Sequence, residues 1–216
     1  MAFRDRADAG RQLAGRLRDL AGGDTIVLGV PRGGVPVAAE VARAIGAPLD
    51  LVPVRKVGAP ILPELAIGAV AEGGVALVDR EAASEAGVGD DELARLVEAR
   101  RAELRDRIEA LRGPDPPADL RGLTAVIVDD GLATGLTDLA AVESARLRGA
   151  ARVIVAAPVG SDTAVAMLDR AADGCVCVVV PRRLGSVGRW YGDFEPVSDE
   201  EVLRLLRPPD PATAGD

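Results

Sequence analysis

The 216-residue chain has no histidine. This removes the one side chain that titrates near neutrality unaided, and with it Ser-His nucleophiles, His-rich metal sites and imidazole proton transfer. Chemistry is left to carboxylates, hydroxyls, arginines, backbone dipoles or a cation held by hard oxygen donors, which favour Mg²⁺. Lysine is almost as scarce: Lys56 stands alone among the basic residues, the rest of which are arginines. A chain that uses arginine nearly everywhere keeps a compact ammonium at one place, which marks Lys56 either as a functional point charge or as a solvated strand end. Aromatics are also few, and Trp190, Tyr191 and Phe194 cluster near the C-terminus. They serve either as a stacking wall for a planar base or as nails for the last segment. Cys175 and Cys177, two apart in an apolar run, point to one strand face and read as buried core thiols. There is no apolar run of about 18 residues, and MAFRDRADAGR lacks a hydrophobic signal region, so no membrane span, no secretory signal and a cytoplasmic location are expected. The net charge of -8 argues against a nucleic-acid surface and still allows a local basic pocket for a polyphosphate.

The chain is organised around residues 124–137, TAVIVDDGLATGLT. An apolar, β-branched run too short for a helix reads as a buried parallel strand. It ends in Asp129 and Asp130, a loop with Gly131, Gly135 and the hydroxyls of Thr134 and Thr137 follows, and a helical pattern then opens at Leu139. Helix N-terminal amides and hydroxyls suit a phosphate, and paired acids suit ribose hydroxyls. Alternatively the acids and glycines only end a strand and start a helix.

Elsewhere the pattern alternates. Residues 4–21 read as an amphipathic helix ended by Gly22-Gly23, and 25–30 as a buried strand running into Pro31-Arg32-Gly33-Gly34. Those glycines would let the backbone approach an anion beside the Arg32 fork, although a plain turn with a surface arginine fits equally. A helix over 35–45 and an apolar run at 50–54, ending in Arg55-Lys56, come next. A loop at 57–63, a β-hairpin around Glu72-Gly73-Gly74 that would act as a lid, and a long helix over 90–112 follow. After the breaker GPDPPAD come the central strand and helix, then strand, helix and strand over 152–158, 161–172 and 175–181. A Ser198–Glu201 capping box opens a last short helix, and 208–216 read as a disordered tail. The expected architecture is α/β: one domain over 1–207, with a doubly wound, mostly parallel sheet, helices on both faces, and ligands outside the strand carboxyl ends.

VDDGLATGLT closely resembles the phosphoribosyl pyrophosphate (PRPP) motif of type I phosphoribosyltransferases, with PRGG and RK in support. The resemblance implies that Asp129 and Asp130 bind the ribose diol and that Gly131 and residues 133–137 (Ala133, Thr134, Gly135, Thr137) surround the 5-phosphate. It also implies that Arg32, Gly33 and Gly34 form a pyrophosphate loop, often with a non-proline cis peptide. Arg55 and Lys56 resemble the pair opening toward the catalytic loop of the orotate branch, and Asp130 joins them as a catalytic candidate. Residues 181–197 resemble the purine-branch hood, with Leu184, Trp190 and Tyr191 on its base side and Asp193 assisting a metal through water beside Asp129 and Asp130. The implied partners are Mg²⁺, PRPP and a nucleobase-like acceptor, in a homodimer, without nucleic acid or membrane. The implied reaction moves the phosphoribosyl group to a base nitrogen. A PRPP- or nucleotide-sensing regulator and a phosphosugar hydrolase are the alternatives. Where the 6-oxopurine branch carries a proton-exchanging acid this chain has Ala133, and Leu184 replaces a stacking ring, so hypoxanthine and guanine are not expected substrates.

Overall fold

The structure is a computed structural model describing residues 1–207 apart from positions 64 and 114; the tail expected at 208–216 lies outside the described residues. From the N-terminus, α1 (Arg6–Ala14) and a 3-10 turn at Arg18–Leu20 lead to β1 (Thr25–Gly29), α2 (Gly34–Ile45) and β2 (Leu49–Leu51). Then come β3 (Val54–Gly58), β4 (Ala66–Ala71), β5 (Val75–Val78), α3 (Arg80–Glu85) and α4 (Asp90–Arg112). The second half runs β6 (Thr124–Val128), α5 (Leu136–Leu147), β7 (Arg152–Val159), α6 (Asp162–Ala171), β8 (Cys175–Val179), a 3-10 turn at Val187–Trp190 and α7 (Asp199–Leu206).

The main sheet has the order β2-β1-β6-β7-β8 and is parallel throughout. Its strands are apolar on both faces because both are covered. Ile26, Leu28, Ala125 and Ile127 pack under α5 and α6, whereas Val27, Val126, Val128 and Ala156 pack under α1 and α2. Register places Gly29 opposite Val128 and Val128 opposite Ala156, so the loops after β1, β6 and β7 emerge side by side.

The run at 50–54 is not one strand. It divides at Val52-Pro53, with β2 on the main sheet and β3 on a second, antiparallel sheet ordered β3-β4-β5. Pro53 has no N–H to continue a ladder, and its carbonyl instead accepts from the Glu72 amide at 3.1 Å. The hairpin therefore gains a third strand. Its faces are both buried, Ala69, Ala71 and Val75 in the core below α5 and Ile67 and Val70 beneath α4, so it is a fixed layer rather than a lid. The segment that projects is the one before β4, where Ile61 and Leu62 are exposed. Three further details differ from the sequence reading. The first helix stops at Ala14, with a 3-10 turn taking up the rest, and the unexpected α3 is capped by the Asp79 carboxylate, which accepts from Ala82 N at 2.9 Å. Cys175 and Cys177 are half-buried rather than buried, because β8 is an edge strand paired on one side only. Burial still pushes their thiols up to about 12 and about 11, which leaves them unreactive at neutral pH.

Two buried arginines lock the sheets together. Arg112, at the end of α4, pairs with Asp50 of β2 at 3.0 Å and with Glu72 of the hairpin turn; Arg148, just after α5, reaches the same carboxylates at 3.5 and 3.4 Å. Asp50 also accepts from the Ala118 amide at 2.9 Å. Removing one member leaves charge buried without its partner, which costs about 3–5 kcal/mol. Glu72→Leu should therefore lower the urea midpoint by that amount of stability, and a loss below about 1 kcal/mol would show that the network is not what joins the layers.

Candidate functional site

The site is built from the carboxyl edge of the main sheet inward. β6 ends in Asp129 and Asp130, and the Asp130 amide donates to Asp129 Oδ1 at 2.7 Å, turning the chain sharply. The loop after β1 closes on this turn: Val30 N donates to Val128 O at 2.9 Å. Its glycines are required by proximity rather than by backbone angle. A Cβ on Gly34 would lie 2.5 Å from the Val128 carbonyl oxygen and 2.8 Å from Asp129 Cα, and one on Gly33 would land inside the Asp130 carboxylate. The Pro31–Arg32 peptide is cis, as the resemblance implies. Arg32 itself is exposed and pairs with Asp199 at 3.6 Å.

Beyond the acids, Ala133 and Thr134 are exposed, Gly135 is buried in the left-handed region (φ 79°), and Thr137 is half-buried. No side chain caps α5, so the amides of its first turn face the loop without a side-chain acceptor. That arrangement suits an anion. The loop is held from β7: Leu132 N donates to Val159 O at 2.9 Å, and the Ser161 hydroxyl donates to Ala133 O at 2.7 Å while capping α6. Sequence reading passed over Ser161, although its place two residues past a strand end was a usable signal.

Three carboxyls converge here. Burial pushes Asp129 well above the usual carboxylate range, with Asp138 and Asp130 adding to the effect. Burial also raises Asp130, opposed by the Arg6 guanidinium, whose Nε donates to Asp130 Oδ2 at 2.9 Å. Asp138, in the first turn of α5, is 2% exposed and is pushed up to about 7, chiefly by burial and then by Asp130; its Oδ1 has no hydrogen-bond partner among the described residues. Arg6 and Asp138 were both missed from sequence, because nothing local ties α1 to β6 or marks one acid of an amphipathic helix as buried.

The hood segment braces this cluster. The Tyr191 hydroxyl donates to the Asp130 carbonyl at 2.6 Å, and its ring packs on Phe3 and Phe194 with centroids 5.4 and 4.9 Å away. Arg6 lies 3.9 Å over the Phe194 ring and donates to Glu195 O at 2.8 Å. Tyr191 is thus buried and offers no face to a base, and Trp190 is tied back, its Nε1 donating to the Leu184 carbonyl at 3.0 Å. Leu184 packs against the same cluster. The aromatics act as nails because a buried phenol needs an acceptor and finds it in the Asp130 backbone. Asp193 lines the same surface cleft as Arg6, and its carboxylate accepts from Glu195 N at 3.0 Å.

Arg55 and Lys56 do not open toward the site together. Both lie inside β3, whose alternation sends Arg55 with Val57 toward α4 and exposed Lys56 with Val54 toward the main sheet. Arg55 is half-buried, and burial holds its guanidinium below the usual range, followed by repulsion from Arg107, Arg32 and Arg100.

A parallel sheet with an acid pair, a glycine loop against it and a braced helix start at its carboxyl edge is the layout in which open α/β sheets hold their ligands. Residues 3–179 match the model of the phosphoribosyl transferase domain, and the chain belongs to that family. A Mycobacterium tuberculosis protein, provisionally named a phosphoribosyl transferase and found in two strains, is 45% identical over 204 residues, which cover 94% of this chain and 46% of that protein. The chain thus spans about half the length of the curated relatives it matches. The crystal structure of a Thermus thermophilus protein is 45% identical with a TM-score of 0.80, covering 95% of this chain and 98% of that one. An Aquifex aeolicus protein at 11% identity and a TM-score of 0.51, covering 85% and 78%, shares the fold alone.

Asp138 makes a testable pH dependence. Folded, it keeps its proton up to about 7, whereas unfolded it releases it near 3.8, so the native state binds more protons in between and stability falls as pH rises across that window. Asp138→Asn removes this slope. At about pH 8 the variant should unfold later than the parent by about 1–3 kcal/mol, with the difference vanishing near pH 4. An equal difference at both ends would show that Asp138 ionises freely.

Proposed function

We propose that the chain transfers the 5-phosphoribosyl group of PRPP to a nitrogenous base, breaking the C1–oxygen bond to pyrophosphate and forming a C1–nitrogen bond. The observation that carries this reading is the Asp129–Asp130 turn, packed so closely on Gly33-Gly34 that no side chain fits between them, beside the uncapped and braced start of α5. The amides of that first turn, with Thr134 and Thr137, take the 5-phosphate. The acid pair accepts from the ribose hydroxyls and stabilises positive charge developing on the ring. Gly33 and Gly34 let backbone amides reach the pyrophosphate, and Arg32 adds a cation beside them. Lys56, on the face of β3 turned toward the main sheet, is the further candidate for leaving-group charge.

Among the described residues no group of three or more acids or thiols could hold a metal, so a resident, fully protein-coordinated ion does not fit. The donor set fits a Mg²⁺ that reaches the site on the oxygens of PRPP and meets Asp129 and Asp130 there, as Mg²⁺ commonly uses one or two carboxylates plus substrate phosphates. Bound so, it would neutralise charge on the departing pyrophosphate. Asp193, engaged with the Glu195 amide, would act only through water.

The base is one that needs no proton removed by residue 133. Ala133 has no titratable group, and the hood rings are turned inward, so acidic pyrimidines of the orotate kind fit better than hypoxanthine or guanine. Release of pyrophosphate from PRPP with a panel of orotate, uracil, adenine, hypoxanthine and guanine tests this, and robust turnover of either 6-oxopurine would contradict the base assignment. PRPP binding without turnover across a broad panel would instead assign a sensing role on the same site. Asp130→Asn should weaken PRPP binding about 10-fold or more by calorimetry, the scale of a lost charged hydrogen bond. Lys56→Arg should lower turnover with little change in stability, and parental turnover in that variant would remove Lys56 from the mechanism.

A further inference from the structure

Arg107 of α4 lies outside every role assigned above. Its side chain is 12% exposed, its terminal nitrogens grip both oxygens of Asp199, one at 2.6 Å, and its Nε has no hydrogen-bond partner among the described residues. The same Asp199 carboxylate lies 3.6 Å from Arg32, on the loop where Gly33 and Gly34 meet the acid pair. One carboxylate therefore sits between a guanidinium of the β1 loop and a guanidinium of α4. Behind them stand Arg55, on the face of β3 that turns to α4, and Arg100, held by Glu103 at 2.6 Å. Burial holds the Arg55 guanidinium below its usual range, and Arg107, Arg32 and Arg100 add to this while Glu103 opposes it, so these cations are near enough to interact.

We propose that Arg32 and Arg107, backed by Arg55 and Arg100, form one seat for a diphosphate group, in which the Asp199 carboxylate now stands and from which the ligand displaces it. Two features fit Asp199 for this part. It is the first residue of α7, and a turn of a single side chain frees the seat without moving the helix, because Val202 is fully buried against Val35, Leu51 and Leu111. It also remains 40% exposed, so a carboxylate that leaves the arginines enters water and not protein. A diphosphate offers more oxygens and more charge than a carboxylate, and planar guanidinium forks bind such oxygens bidentately. The seat thereby adds α4 to the pyrophosphate loop within one chain. In the transfer reaction, on which this assignment of ligand rests, it would receive the leaving group.

The test is calorimetric titration of the full chain, at fixed Mg²⁺ and low salt, with inorganic diphosphate and separately with PRPP. Asp199→Asn removes the competing anion and should tighten diphosphate binding about 3- to 10-fold. Arg107→Gln and Arg55→Gln should each weaken it by about 10-fold, and the gain from Asp199→Asn should shrink in the Arg107→Gln background. If Arg107→Gln fails to fold, Asp199→Asn and Arg55→Gln still decide. Unchanged or weaker diphosphate binding in folded Asp199→Asn would make the Asp199–Arg107 pair a mere latch for α7 and overturn the seat. Parental PRPP binding with variants that all behave alike removes the seat and leaves the transferase reading standing. The expected order of variants with diphosphate, but no binding of PRPP, keeps the seat and removes that reading. No binding of either anion overturns the seat.

Discussion

Carboxylates withdrawn from water must find opposite charge or hydrogen-bond donors, or else take up protons. Asp129, Asp130 and Asp138 all face that requirement where β6 gives way to α5, and much of the molecule is arranged to meet it. Arg6 is carried from the start of α1 to pair with Asp130, Phe194 covers the guanidinium, and Tyr191 fixes the Asp130 carbonyl. The N-terminal segment and the C-terminal hood, far apart in sequence, thus meet at this acid as well as in direct contact with each other. The compensation is incomplete, since Asp138 keeps an oxygen without a partner and all three acids are shifted upward. The three acids are thus left short of positive charge and hydrogen-bond donors from the protein itself.

The surrounding layers hold that site still. The Arg112–Arg148 network ties β2, the hairpin turn and the ends of α4 and α5 into one block, and Ser161 fixes the loop before α5 from β7. The buried charge joins parts that each already have an apolar core, which is where a paired network fixes relative position more than it adds stability. The loop with exposed Ile61 and Leu62 is left outside this block, following the strand that carries Lys56.

Much of this was legible in the sequence, for definable reasons. β6 and its acid pair were read correctly because a short β-branched run between turn residues has few alternatives, and α4 matches residues 90–112 because its apolar spacing persists over many turns. The glycines at 33 and 34 were assigned to let the backbone approach an anion; what the structure shows is a different need, their packing against Asp129 and Asp130. Failures came where position depends on a partner distant in the chain. One apolar run divided between two sheets at Pro53, so Arg55 and Lys56 moved from a strand end to opposite faces of a strand. The aromatics offered two roles, and the inward one prevailed once Phe3 and the Asp130 carbonyl arrived from elsewhere. Arg6, Arg107 and Asp199 have no local mark at all, because each acts through a residue at least 92 positions away.

The central claim is that the turn at Asp129–Asp130, the Gly33-Gly34 loop and the start of α5 together form a PRPP site. A crystal structure of the chain grown with PRPP and Mg²⁺ tests it most directly. The account predicts the 5-phosphate on the amides of residues 134–138, the ribose hydroxyls at Asp129 and Asp130, and the pyrophosphate between the glycine loop and Arg32. PRPP bound away from the acid pair, or with its phosphate off the α5 terminus, would contradict it.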